Sequence, residues 1–374
     1  MKFNKNIVVI NSVLLFFQIF ISVIGTDIFN TSVPFLNYYF DVIVLFAFLS
    51  FLISLCSPRI MIKELLFIIC WFIVAVITFV TSQDLLVLAN FLMIISVRVL
   101  TIPRVIKIVF WANLVSLIFS FAMYNLGWIR DNTNGTITKH SLGLSHPNQL
   151  GAVLLVIILC SIYLFIHGST QQKLLLTVLV VVLYLLLIYS GSRGALISAI
   201  LSNFVLIIFY LKPKTLFLIC LLVGVFFLIF SLYSTGSSVY QSGSLLNKLD
   251  GIFTNRIRMN NYFMSNYGVK ALGQRIVYSG GSDFMYHYDY AYLDNGYLRN
   301  LINFGLLYSI LFYTYYILII KKIKELQMYS LFVVIIPLLI YGFIEEGFTS
   351  FLINMTLLFT SILFISNQRN GVNS

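Results

Sequence analysis

Residues 174–233 read LLLTVLVVVLYLLLIYSGSRGALISAILSNFVLIIFYLKPKTLFLICLLVGVFFLIFSLY. Three apolar runs, 174–190, 194–211 and 215–233, follow one another with two short breaks between them. Each run, wound as a helix, is long enough to cross the roughly 30 Å of hydrocarbon in a bilayer. The charges, Arg193, Lys212 and Lys214, are confined to the breaks. In lipid no water is at hand for a bare N–H or C=O, so segments like these span as helices, which pair their own backbone.

The rest of the chain has the same character. It holds 374 residues, 60% of them hydrophobic and 9% charged, with a mean hydropathy of +0.99. A soluble domain of this length would need far more charge to cover its surface. The expectation is an all-α polytopic membrane protein forming one integral domain over 1–374. Further runs at 7–24, 35–55, 64–80, 85–100, 106–126, 148–166, 297–320, 328–345 and 348–366 bring the total to about twelve spans. Asn90 and Arg98 interrupt the fourth. The first is too long for a secretory leader and no small-residue cleavage site follows, so it reads as a retained span. Cys56, Cys70, Cys160 and Cys220 each lie in an apolar run, and no pair has metal-ligand spacing.

A net charge of +11 would suggest nucleic acid in a soluble protein. Here the placement of the charge excludes that partner. An even number of spans puts both termini on one side, with Lys2, Lys5, Arg59, Lys63, Arg98, Arg104, Lys107, Lys173, Lys212, Lys214, Lys321, Lys322, Lys324 and Arg369. Most sit in short loops, so the positive-inside rule makes both termini cytoplasmic. The other basic residues gather on the outer side. Arg130 and Lys139 flank one polar motif, and Arg193 sits in a hairpin. Lys248, Arg256, Arg258, Lys270, Arg275 and Arg299 lie in or beside 234–297, a long external segment among short loops. Within it, NKLDGIFTNRIRMNNYFM (247–264), with Leu246 just before it, spaces Leu246, Leu249, Ile252, Phe253 and Ile257 near-helically. That spacing predicts a short helix in the membrane interface, apolar face down.

Four stretches carry polar groups that can do chemistry. In YSGSRGALISAI (189–200), Gly191 and Gly194 bracket Arg193. This is either a tight turn with one snorkelling arginine or an anion site, where a guanidinium and the next helix's N–H groups meet a phosphate. Arg256 and Arg258, two residues apart, point to opposite sides of a strand or lie about 200° apart on a helix, and so do different jobs. Asp294 precedes Asn295, Gly296 and Tyr297 at the start of an apolar run. It reads as a helix cap, as a general base at the membrane surface, or as both. In KHSLGLSHPNQLG (139–151), Pro147 fits the first turn of a span. His140, His146 and Asn148 there either mark a polar helix start or serve as donors to phosphate or sugar, or as acid–base groups. No metal cluster, P-loop, dinucleotide fingerprint or Ser–His–Asp signature is present in the sequence.

In chain order, HSLGLSHPNQLGA, YSGSRGALISAI, LDGIFTNRIRMNNYFM…ALGQ and LDNGYLRNLINFGLLYSILFY, on a many-span background, resemble the bacterial O-antigen and capsular polysaccharide polymerases (Wzy-type). These are related to the O-antigen ligases. The resemblance covers about 140–310 by motif. It implies a GT-C-like membrane glycosyltransferase that uses no metal or other cofactor. Such an enzyme joins oligosaccharide repeat units carried on undecaprenyl pyrophosphate, at the outer face of the bacterial plasma membrane, where the bilayer itself, a flippase and a chain-length regulator are its partners. Arg193 would match the family's arginine after the middle spans. Arg256 would match the arginine of a TGR-like stretch, written TNR here. Related ligases have a histidine just before an asparagine; here Asp294 precedes Asn295, so the base would be Asp294 or else His287. His146 would be a further catalytic group, and Arg258, Arg275, His140, Asn148, Asn295 and Tyr297 would complete the site that holds pyrophosphate and sugar. Two alternatives stand beside this reading. A ligase passing finished polymer to another acceptor shares the motifs. A flippase of lipid-linked sugar shares the span count.

Overall fold

A computed structural model describes residues 5–25, 39–56, 62–129, 139–253, 255–278 and 292–364. His287 and Arg130 lie outside the described residues. The expected all-α membrane architecture is present, and among the described residues there is no strand. In chain order the helices are α1 (Lys5–Ile24), α2 (Tyr39–Leu55), α3 (Ile62–Ser82), α4 (Leu85–Ser96), α5 (Ile102–Asn125), α6 (Pro147–His167), α7 (Thr170–Ser190), α8 (Arg193–Leu211) and α9 (Thr215–Tyr233). Two short helices follow, α10 (Leu245–Ile252) and α11 (Arg256–Tyr267), then the long α12 (Gly296–Glu325) and α13 (Phe332–Ile344). Eight helices are long and apolar enough to cross a membrane; α2, α4 and two C-terminal segments are shorter apolar pieces.

The packing sorts these helices into enclosed and lipid-facing ones. α6 is the most enclosed of the eight, sheathed by α5, α7, α8 and α13. α7 and α9 are mostly exposed, with Leu174, Leu175, Leu185, Leu222 and Ile229 turned outward, as lipid-facing helices must be. Cys160 and Cys220 are buried, while Cys56 and Cys70 are exposed; all four are free thiols.

The twelfth expected span, 348–366, is not a continuous helix. It consists of 3₁₀ turns Glu346–Thr349, Met355–Leu358 and Thr360–Phe364 with irregular backbone between them. Irregular backbone survives at membrane depth only where protein satisfies it. Asn90, wholly buried on α4, does so: its Nδ2 donates to Thr349 O (2.6 Å), and its Oδ1 accepts from Phe351 N (3.0 Å). Asn354 Nδ2 donates to Phe348 O, and the Tyr315 hydroxyl of α12 donates to Leu357 O. Asn90 interrupts an apolar run because it holds another segment in place. Arg98, at the opposite end of the bundle, is buried with Glu64 (Nη1–Oε2, 2.8 Å), and its Nη2 donates to Ser54 O.

The single interfacial helix expected over 247–264 is two helices. Asn255 breaks them with a left-handed backbone, φ 66°. Their apolar residues do not face lipid as a sheet. Leu246 and Ile257 bury against Val239, and Phe253 packs edge-on against Phe343 of α13; Ile252 stays exposed. After α11 the chain runs extended and docks on a π-turn in α12, Asn300–Phe304. Gln274 N donates to Asn303 O, while its buried side-chain amide donates to the carbonyls of Tyr267, Gly268 and Ile302. Gly273 and Gly305, both at positive φ, let the two backbones meet; a Cβ on Gly305 would stand 2.1 Å from Gly273 N.

Candidate active site

Helix direction brings the starts of α4, α6, α8 and α12, the end of α13 and the described residues between α9 and α12 to one end of the bundle. At that end two charged nodes sit side by side. In the first, Arg256, at the start of α11, reaches Asp294 (Nε–Oδ2, 3.3 Å) and Glu345 (Nη2–Oε1, 2.8 Å). Asn148, in the first turn of α6, donates its Nδ2 to the same Glu345 oxygen at 3.1 Å. In the second node Arg299 pairs with Glu346 and with Asp84 (Nη2–Oδ2, 3.2 Å), and Asn303 and Tyr292 donate to the same carboxylates. Glu345, on extended backbone just past α13, and Glu346, the first residue of the 3₁₀ turn that follows, serve different nodes.

Close packing builds this end. An added Cβ on Gly194 would come 2.7 Å from Ile344 Cγ2 and 3.7 Å from Glu345 Cγ, so α8 starts hard against the glutamate. Gly151 of α6 likewise accommodates Ser192. Glu345 therefore lies by the N-terminal ends of α6 and α8, where helix dipoles favour an anion. Burial nonetheless drives its carboxyl upward, to about 7, with the Asp294 charge adding to that rise and Arg256 opposing it. Burial raises Asp294 too, against the pull of Arg256 and Arg299. Two carboxylates on one guanidinium leave the node with surplus negative charge, and a proton is held easily there.

The sequence candidates fall into three groups. Arg256, Asp294 and Asn148 meet directly. His146 is close by, capping α6: its Nδ1 accepts from Asn148 N at 3.0 Å. That bond leaves the ring proton on Nε2 and makes His146 a donor. Burial, Lys139 and Arg256 lower its pKa, so the ring stays neutral. His140 stacks on Tyr189 with centroids 4.2 Å apart. Arg193 begins α8, and Arg275 lies on the extended strap; both are exposed and carry no ion pair among the described residues.

The remaining candidates are structural. Arg258 points away from Arg256 and clips Asp250 of α10 at 2.8 Å. Tyr297 is buried, its hydroxyl donating to Leu339 O and its ring stacked on Phe348. Asp294 is not the cap of α12. Asn295 is, accepting from Tyr297 N and Leu298 N, so the reading was one residue early and Asp294 is released for Arg256. Asn255, where the resembled family has glycine, adopts the left-handed backbone that glycine favours, and asparagine tolerates it better than most residues.

Glu345, Glu346, Asp84 and Tyr292 were not among the candidates. The signal for the glutamates was present: FIEEGF places two carboxylates against an apolar run, and ionisable groups at membrane depth are costly unless used. Among the described residues no group of His, Cys, Asp or Glu is placed to hold a metal ion.

No protein-family model, curated protein or solved structure matches this chain.

Proposed function

We propose that the chain is a membrane glycosyltransferase. It polymerises oligosaccharide repeat units carried on undecaprenyl pyrophosphate, at the outer face of a bacterial plasma membrane, with both termini in the cytoplasm. The observation that carries this reading is the first node: Arg256 from the long segment bridges Asp294 and Glu345, beside the capping His146 and the start of α8. Glycosyl transfer from a pyrophosphate needs cations for the leaving group and a base for the acceptor hydroxyl. Both are at hand on one end of an otherwise apolar bundle.

The roles follow from which groups are engaged. Arg193 is open to a phosphate and stands on a helix N-terminus whose N–H groups face the same way. Arg256 is held by two carboxylates, and it fixes their direction. One of that pair takes the acceptor proton. His146, neutral, donates to a sugar or phosphate oxygen.

The test uses a bacterium whose own copy of this chain is deleted. Wild-type chain restores polymer, whereas Arg193→Lys and Arg256→Lys give strong loss of polymer at normal protein level. Full-length polymer from both variants refutes the assignment. A ligase would instead leave polymer length unchanged and block its attachment to the final acceptor.

A further inference from the structure

We infer that Glu345, not Asp294, is the residue that takes the proton from the acceptor hydroxyl. The inference rests on the glycosyl-transfer reading above and assigns within it a residue that the sequence motifs did not single out.

Geometry separates the two carboxylates. Both Arg256 Nη2 and Asn148 Nδ2 converge on a single oxygen of Glu345, Oε1. That oxygen is pinned by groups from two different elements, and Oε2 takes part in none of these contacts. The glutamate follows α13 directly and abuts Gly194 of α8, so its backbone is fixed from two sides. Asp294 has a looser hold: one contact, Nε–Oδ2, at 3.3 Å. Its side chain is also about twice as exposed, 19% against 10% for Glu345. A base must be held in place and kept largely from water, and Glu345 meets both conditions better.

The groups turned toward Glu345 are known for each neighbouring element. They are Arg256 from α11, Asp294 before α12, Asn148 of α6 and Lys139 before it, Tyr341 of α13, and Gly194 at the start of α8. Burial and Asp294 push the carboxyl toward neutrality, while Arg256 and Lys139 resist. The balance leaves Glu345 able both to accept and to release a proton near neutral pH. In the step itself the acceptor O–H bond breaks and its proton goes to Glu345 Oε2. The freed oxygen bonds to the anomeric carbon of the donor. The bond from that carbon to the pyrophosphate oxygen breaks, and its electron pair leaves with the pyrophosphate. The proton then passes to water or to the released pyrophosphate, restoring the carboxylate.

The experiment uses the purified full-length protein in lipid nanodiscs. The probe is undecaprenyl-pyrophosphate-linked repeat units extracted from the producing bacterium lacking this chain. Initial rates are measured across pH for wild type, Glu345→Gln, Glu345→Asp and Asp294→Asn. Gln keeps an oxygen for Arg256 and Asn148 but cannot take the proton. The expected result is a wild-type acid limb with an apparent pKa near 7, a loss of about 10²-fold or more in Glu345→Gln, a limb retained at reduced rate in Glu345→Asp, and a limb retained but shifted to lower pH in Asp294→Asn, which removes a charge that raises Glu345. Infrared titration gives a readout independent of turnover: a protonated carboxyl band titrates near neutral pH in wild type and is missing in Glu345→Gln. If Glu345→Gln keeps the wild-type rate or limb, or if Asp294→Asn alone loses them, the inference is overturned and the glycosyl-transfer reading stands. If folded wild type does not extend the units at all, the reading falls and the inference with it.

Discussion

Replacing Arg256 with lysine keeps the charge and removes the fork. The guanidinium spans two carboxylates, with Nε 3.3 Å from Asp294 and Nη2 2.8 Å from Glu345. A lysine ammonium is a single point on a flexible stem and reaches one of them. The variant thus forfeits one charge-assisted hydrogen bond, worth about 1.5–3 kcal/mol where groups are buried. The side chains here are 10–20% exposed, so screening brings the loss toward the lower end. At about 1.4 kcal/mol per tenfold, that is a fall of roughly tenfold in turnover. Arg258→Lys is the matched control, because Arg258 pairs with Asp250 of α10 and with neither carboxylate of the node. Polymer synthesis from lipid-linked repeat units, normalised to protein level, measures both. Equal activities for Arg256→Lys and Arg258→Lys would refute the reasoning that the fork matters.

Four more outcomes are expected. Arg98→Ala breaks the buried Arg98–Glu64 pair, which costs up to about 3–5 kcal/mol; thermal unfolding in detergent should show a drop, partly recovered in Arg98→Ala/Glu64→Ala. Asn295→Ala removes the cap of α12 and costs about 1 kcal/mol, whereas Asp294→Asn leaves that helix start intact, and thermal midpoints compare the two. The native state holds the Glu345 proton more tightly than the unfolded chain, so native stability falls as pH rises from about 4.5 to about 7; Glu345→Gln should flatten that slope in unfolding measured against pH. Reporter fusions at about 213, 250 and 322 should give cytoplasmic signals at the first and third only, and a cytoplasmic signal at 250 would remove the outer-face site.

The span pattern was legible because lipid leaves the backbone few options. Runs such as 174–190 and 215–233 reappear as α7 and α9 nearly residue for residue. The run 348–366 misled because hydropathy reports burial, and it does not report who satisfies the backbone; here side chains distant in sequence, Asn90 and Tyr315, do so. The site was half legible. Arg256 and Asn148 carried local signals, a basic loop and a proline-started helix. Glu345 carried one too, but an acidic pair between two apolar runs reads as a loop until the helices are assembled. The cap of α12 was placed one residue early because Asp and Asn cap about equally well and stood side by side. That Arg256 and Arg258 have different partners followed from their spacing; which of them joins the node did not.

The dependence of the C-terminal turns on Asn90 sets an order for assembly. A chain emerging from the ribosome delivers α4 early, with an amide buried in its middle and nothing to bond it. The partner, Phe351 N, lies 261 residues later. Glu345 and Glu346, which complete both charged nodes, leave the ribosome just before that partner. Until then α4 is a twelve-residue helix, short for a bilayer and carrying a polar centre, and it has to shelter against its neighbours. The turns after α13 therefore lock α4, and the two glutamates just before them complete the two nodes, late in synthesis. A nascent or C-terminally clipped chain has neither, so it would lodge in the membrane with both nodes unformed.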